Sequence, residues 1–227
     1  MRINTIILIV ATTVLFSCEQ DNKSTSDTPP RDIETSITTG NIEVQKSVTK
    51  YNNKYIDTRY KYADPNGKNL IIENSLPKGG LKYTDPNGKE YVYAIFWTRI
   101  TNEMANPFEL SIEVHADSFE LPSSPDKYFK IFLPTVKMSI DNIPLFDYGL
   151  TDLNAILDHK LQKSSSMQRT INPEERSYFY VITLFNKGVE GTVRAGLSLK
   201  NDKLFYRVND KEIHSGQVSI KDLKLQE

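Results

Sequence analysis

From Tyr51 onward, short runs of β-branched and aromatic residues alternate with breaks rich in Asp, Asn, Pro and Gly. Runs of this length bounded by turn residues predict strands, and a series of them predicts an all-β sandwich or barrel. The clearest are Glu90 to Thr101 and Ser177 to Phe185. Shorter ones span Lys54 to Tyr62, Asn69 to Glu73, Phe108 to Val114, Tyr128 to Leu133, Thr192 to Leu199 and Lys203 to Val208, with a weak final strand within Gln217 to Leu225. One helix interrupts them near residues 151–162. There Leu153, Ile156, Leu157 and Leu161 recur at helical spacing, Thr151 stands where it can cap the first turn, and Lys160 suits the negative end of the macrodipole.

Two of the strands are apolar on both faces. In the longer one, Tyr91, Tyr93, Ile95 and Trp97 share one face, and Val92, Ala94, Phe96, Thr98 and Ile100 the other. Tyr178, Tyr180, Ile182 and Leu184 stand against Phe179, Val181 and Phe185 in the second. An antiparallel strand with one face in water is polar on that side. These two are therefore expected at the centre of a sheet covered on both sides, with the helix as second cover. The same aromatic residues supply the one candidate recognition surface. If they face water, Tyr91, Tyr93, Trp97, Tyr178 and Tyr180 form a stacking platform for a sugar or a peptide; if they are buried, they are core.

The segment Lys61-Tyr62-Ala63-Asp64-Pro65-Asn66-Gly67-Lys68 recurs as Lys82-Tyr83-Thr84-Asp85-Pro86-Asn87-Gly88-Lys89. Pro, Asn and Gly in that order predict a type I turn followed by a left-handed residue, closing a hairpin. A calcium loop would need an oxygen ligand at position 5 and glycine at position 6, where the two copies have Lys68 and Asn69, and Lys89 and Glu90. The turn is the better reading.

The N-terminal part reads differently. Ile6 to Phe16 is an apolar run preceded by Arg2. It is shorter than the roughly 20 residues that a membrane-spanning helix requires, and has the length of a signal-peptide core. Between Glu19 and Lys50 there is no aromatic residue, and Ser, Thr, Asp and Asn dominate around Pro29-Pro30. Such a composition buries too little apolar surface to offset the entropy of ordering it. The expected organisation is a signal peptide at 1–17, a flexible tether at 18–48 and a β-domain at 49–227.

Charge and cysteine content narrow the functional classes. The formal net charge is −1, with no block of like charge, so the chain lacks the basic footprint of a nucleic-acid binder. Cys18 is the sole cysteine, which removes internal disulfides and cysteine-based zinc sites by counting. No glycine-rich loop precedes a helix, and no cofactor is expected. Leu15-Phe16-Ser17-Cys18 resembles the lipobox of bacterial lipoproteins. The resemblance implies cleavage before Cys18, diacylglycerol on its sulfur and acylation of the new terminus. Its location would be the cell envelope, at the outer membrane, with the periplasmic and surface faces both open. Glu19, Gln20 and Asp21 resemble surface-export signals of some such lipoproteins.

Candidate chemistry is sparse. Ser75 and Lys78 have the Ser-x-x-Lys spacing of penicillin-recognising enzymes, but Pro77, Gly79 and Gly80 favour a turn over the helix that this chemistry needs. Glu113, His115 and Asp117 alternate and would share a strand face, as metal ligands or simply as a solvated edge. His159 lies beside Asp158 on the helix, and His214 lies in the charged turn Asp210 to His214.

Thr98 to Glu103 followed by Asn106-Pro107-Phe108-Glu109-Leu110, with Ile171-Asn172-Pro173-Glu174-Glu175 before the later strand, is similar to bacterial exported immunoglobulin-like domains. The resemblance implies an antiparallel sandwich that binds or assembles, with the helix as an insertion. A lipid-anchored, non-catalytic binding or accessory module is the expectation, with an envelope protein or a glycan as partner. The alternatives are a hydrolase assembled from Ser75, Lys78, His115 and Asp117, and a structural subunit of an envelope complex.

Overall fold

The computed structural model describes residues 53–226, so the signal, the tether and Cys18 lie outside the described residues. The described chain is mainly β, a sandwich of two antiparallel sheets with one short helix. In chain order the strands are β1 (Ile56–Ala63), β2 (Asn69–Ser75), β3 (Lys78–Thr84), β4 (Glu90–Asn102), β5 (Phe108–Val114), β6 (Phe119–Leu121) and β7 (Ser124–Phe132). After α1 (Leu153–Lys160) come β8 (Ser165–Ile171), β9 (Arg176–Phe185), β10 (Ala195–Lys200), β11 (Lys203–Val208), β12 (Lys211–Val218) and β13 (Lys224–Leu225). The larger sheet runs β13-β1-β2-β4-β9-β7-β6, with β3 also paired to β4, and the smaller runs β10-β11-β12-β5-β8. Among the described residues no helix is long and apolar enough to cross a membrane.

Four strands depart from the sequence expectation. β3 occupies the segment read as a turn, because Gly79 sits at a register shift that lets the chain resume pairing with β4 at Lys82. β12 begins inside the charged segment Lys211 to His214, which alternates in register against β11. β8 is polar outside and buries only Ser165 and Ile171, and β6 is three residues long, so neither carries a strong apolar run. The helix begins after Asp152, whose φ is 55°, without a side-chain cap; the Thr151 hydroxyl bonds the Asp152 carboxylate at 3.3 Å instead.

The repeated octapeptides form matching hairpin turns, one between β1 and β2 and one between β3 and β4. In the first, Asp64 Oδ1 accepts the amides of Asn66 at 2.9 Å and Lys68 at 2.8 Å. Asp85 Oδ1 does the same for Asn87 at 2.9 Å and Lys89 at 2.8 Å. Gly67 and Gly88 follow at φ 76° and 82°, a conformation that costs side-chain-bearing residues about 1 kcal/mol or more. Each carboxylate is thereby used to close its own turn.

The central core fills the space between the sheets with Leu70, Ile72, Phe96, Phe179 and Val181 from one side and Phe108, Leu110, Ile112, Leu197, Leu204 and Tyr206 from the other. Several polar residues are buried beside it, and one of them bridges to the facing sheet at β10. Asn74, 1 % exposed, reaches from β2 to β10 in the facing sheet. Its Oδ1 accepts the Leu197 amide at 2.8 Å, and its Nδ2 donates to the Leu197 carbonyl at 3.0 Å. Thr98 and Thr58 complete its bonding, each at 3.0 Å. Two residues on, the Leu199 amide donates to the Tyr62 hydroxyl of β1 at 2.8 Å. The outer edge of β10, which a sheet edge would leave open to pairing, is thus closed by side chains of the opposite sheet. Gly196 makes the approach possible: a Cβ there would stand 2.7 Å from the Asn74 amide.

Truncating Asn74 would strand a backbone amide and carbonyl in an apolar interior, each costing about 1–3 kcal/mol. Asn74→Ala is expected to lose about 3–5 kcal/mol in urea unfolding. Asn66→Ala, whose side chain is exposed in the first turn, should stay within about 0.5 kcal/mol of the parent.

Candidate functional site

A third layer covers the outer face of the larger sheet. It consists of two 3-10 turns, Ile140–Asn142 and Phe146–Gly149, and α1. Met138, Ile143, Tyr148, Leu150, Leu157 and Leu161 from this cap pack on Tyr91, Tyr93, Ile95, Trp97, Tyr180 and Ile182. Of the five aromatic residues read as a candidate recognition surface, Tyr91, Tyr93, Trp97 and Tyr180 are therefore buried, Trp97 and Tyr180 completely. Tyr178 alone stays partly open, at the edge of the cap. Lys130 of β7 secures the far end of α1 by donating to the Leu161 carbonyl at 3.1 Å.

The cap is anchored by a polar network beneath it. Tyr148 inserts its ring edge-on to Trp97 and Tyr55, with centroids 6.3 Å away in both cases. Its hydroxyl donates to the Leu76 carbonyl at 2.6 Å. The Tyr180 hydroxyl donates to the Tyr148 carbonyl at 2.7 Å and accepts from Asn142 at 2.9 Å. The Ser75 hydroxyl, fully buried, accepts the Trp97 amide at 2.9 Å. Lys78 places its ammonium 4.2 Å from the Tyr148 ring centroid and donates to the Ile143 carbonyl at 2.8 Å and to that of Leu145. Burial pulls the Lys78 pKa down, and the charge of Asp147 opposes that pull.

These contacts hold backbone in an unfavourable conformation. Asp147 and Tyr148 lie at φ 46° and 56°, ahead of Gly149 at 70°. Left-handed residues with side chains cost on the order of 1–3 kcal/mol each and persist only where surrounding contacts fix them. Asp147, 5 % exposed, accepts the Tyr93 hydroxyl on Oδ2 at 2.8 Å, while its Oδ1 is buried without a partner among the described residues. It lines a cleft of 530 Å³ with Leu81, Lys82, Leu150 and Asp152.

A second cleft, of 590 Å³, opens on the other flank of the cap, between residues 137–140, β8 and the start of β9. Lys137, Arg169, Arg176, Ser177 and Tyr178 line it together with Glu175. A row of side chains leads to it across three strands, with Glu73 opposite Arg99 and Arg99 opposite Tyr178 in register. Glu73, 3 % exposed, pairs with the Arg99 guanidinium. Burial lowers the Arg99 pKa, but the Glu73 and Tyr178 bonds and charges outweigh it and leave the group more basic than usual.

The remaining candidates lie elsewhere. Glu113, His115 and Asp117 are exposed at the end of β5 in the smaller sheet. Among the described residues no three His, Cys, Asp or Glu side chains gather closely enough to hold a metal. His159 is exposed on α1, and His214 packs edge-on to Phe205 at 5.6 Å on β12. The Asp147 cleft and the Arg169 cleft were not legible in the sequence. Left-handed Asp147 follows no glycine or turn signature, and Arg169 sits on a strand with little apolar pattern.

Asp147→Asn should lower the thermal midpoint by about 2–4 °C in calorimetry, because the amide can keep the Tyr93 bond and the same φ but gives up the charge that faces the Lys78 ammonium. Alkaline titration gives a second check. Burial raises the pKa of Tyr62, Tyr93 and Tyr148 from 10.0 to about 12, with the Asp147 bond adding to the effect at Tyr93. Folding favours their neutral form, so their contribution is complete below pH 10 and lost as pH rises towards about 12. Tyrosinate absorbance should rise in two waves, the later one coinciding with loss of near-ultraviolet circular dichroism. Comparison of the chain with family models, with curated proteins and with solved structures returned no match.

Proposed function

We propose that this protein is a lipoprotein of the cell envelope, tethered through acyl chains on Cys18, and that its β-sandwich acts as a non-catalytic binding module. The apolar run Ile6 to Phe16 ending in Ser17-Cys18 supports the anchor, as does the lack of any other cysteine to pair with Cys18. A single acyl chain holds a protein only marginally, whereas two or three make release negligible. The observation that carries the non-catalytic reading is the use made of Ser75 and Lys78. The nearest approach to a nucleophile and base in the sequence is consumed by structure: the serine hydroxyl holds the Trp97 amide in a closed interior, and the lysine ammonium holds two cap carbonyls. Activation of a nucleophile requires its base within hydrogen-bond reach and a path for substrate.

A second reading, a structural subunit of an envelope complex, draws support from the exposed side chains of Leu81, Leu145 and Phe146 near the Asp147 cleft.

Cys18→Ser should shift the protein from the membrane fraction to the soluble one, and mass spectrometry of the parent should find a diacylated and N-acylated terminal cysteine. An unmodified thiol on a soluble parent would refute the anchor. A fluorophosphonate probe should leave Ser75 unlabelled; labelling lost in Ser75→Ala would point to the hydrolase instead.

A further inference from the structure

The cleft at Arg169 holds charge that the protein itself does not neutralise. Arg169 Nη1 donates to the Ser177 hydroxyl at 3.0 Å and to the Tyr178 carbonyl at 2.6 Å, which fixes the plane of the guanidinium. Among the described residues, its Nε and Nη2 make no hydrogen bond and no carboxylate lies within ion-pair distance of it. Burial lowers its pKa with no opposing charge. Arg176 and Lys137 stand exposed in the same cleft, likewise outside the ion pairs of the described residues. The one carboxylate there, Glu175, is drawn back by Asn172, whose amide and side chain donate to Oε2 at 2.9 and 3.0 Å. Arg99, opposite Tyr178 on β4, is already matched by Glu73.

We infer that this cleft binds an oxyanion group of an external ligand, taken by the unpartnered Nε–Nη2 edge of Arg169 and flanked by Arg176 and Lys137. A guanidinium held rigidly by one nitrogen presents its remaining edge as a planar fork, which matches two oxygens of a carboxylate or phosphate. The partly open Tyr178 ring beside it adds a surface on which a sugar ring can lie. The cleft volume of 590 Å³ falls within the size range of small-ligand sites. This inference rests on the binding-module reading and names the chemistry that such a module would recognise.

Titration calorimetry on the full-length chain, in detergent, tests it with three probes: trigalacturonic acid, inorganic phosphate and neutral maltotriose. Saturable binding of trigalacturonic acid alone would mark a uronate-bearing glycan as the source of the oxyanion, and equal binding of phosphate would mark a free anion. Either should weaken several-fold between 50 and 500 mM salt. Arg169→Gln should weaken it about tenfold or more, and Arg169→Lys should not restore it, because a point charge lacks the fork. The double variant Lys137→Gln, Arg176→Gln, both exposed positions, should weaken binding while leaving the thermal midpoint unchanged. Binding of maltotriose as strong as that of the anions, absence of anion binding, or binding indifferent to all these variants would overturn the inference. Partner capture from membranes that survives such a result would leave the binding-module reading standing and remove only its anionic ligand.

Discussion

The two sheets face each other across an apolar core, and among the buried polar contacts that cross it is the Asn74 amide set against the backbone of Leu197. Hydrophobic burial has no direction and would tolerate many relative placements of two sheets. A buried amide is different, because any displacement leaves strong donors and acceptors unpaired at about 1–3 kcal/mol each. Asn74 satisfies both groups of Leu197 and both of its own, and Tyr62 does the same for the next outward amide on β10. The pairing therefore sets the offset between the sheets at the corner where β10 meets β2. Whatever is carried on the far faces of the larger sheet inherits its position from that lock.

On that far face the sequence places a second apolar surface that a simple sandwich would leave in water. The cap supplies the missing cover, at the cost of backbone strain at Asp147 and Tyr148. Aromatic burial offsets it: Tyr148 and Trp97 are among the largest fully buried side chains, each worth about 1.5–3 kcal/mol or more when taken from water. The hydroxyls of Tyr148 and Tyr180 direct this packing, the first bonded to the Leu76 carbonyl and the second to the Tyr148 carbonyl and Asn142. The cap leaves clefts at its two flanks.

The two clefts differ in charge. The Asp147 side has a carboxylate with one open valence, and the Arg169 side has three cations facing one diverted carboxylate. The buried Glu73–Arg99 pair lines neither cleft. Glu73 is met by Arg99 and, at 3.7 Å, by Arg59, and removing it would leave Arg99 as an uncompensated half-buried charge, so the group is a structural feature and not a reservoir for ligand binding. Of the three cations on the Arg169 side, Arg169 is the one whose guanidinium is held in place by bonds to the protein.

Local rules account for much of the architecture. Phe108 to Val114 and Lys203 to Val208 are strands at the boundaries that alternation predicts, and the two Asp-Pro-Asn-Gly segments close hairpins, because period and turn chemistry act over a few residues. The two-sided apolar pattern of Tyr91 to Ile100 likewise required a second cover from sequence alone. Other features were settled by contacts distant in the chain. β3 and β8 became strands by pairing with β4 and β5, and the fate of the tyrosines waited on where residues 137–161 would lie. Asn74 meets Leu197 across 123 residues, and Tyr62 meets Leu199 across 137. Whether a polar group ends in water, in a bond or alone depends on such neighbours. No pattern within a strand encodes that, so the lock, the strained cap and the unmatched guanidinium belong to the tertiary structure.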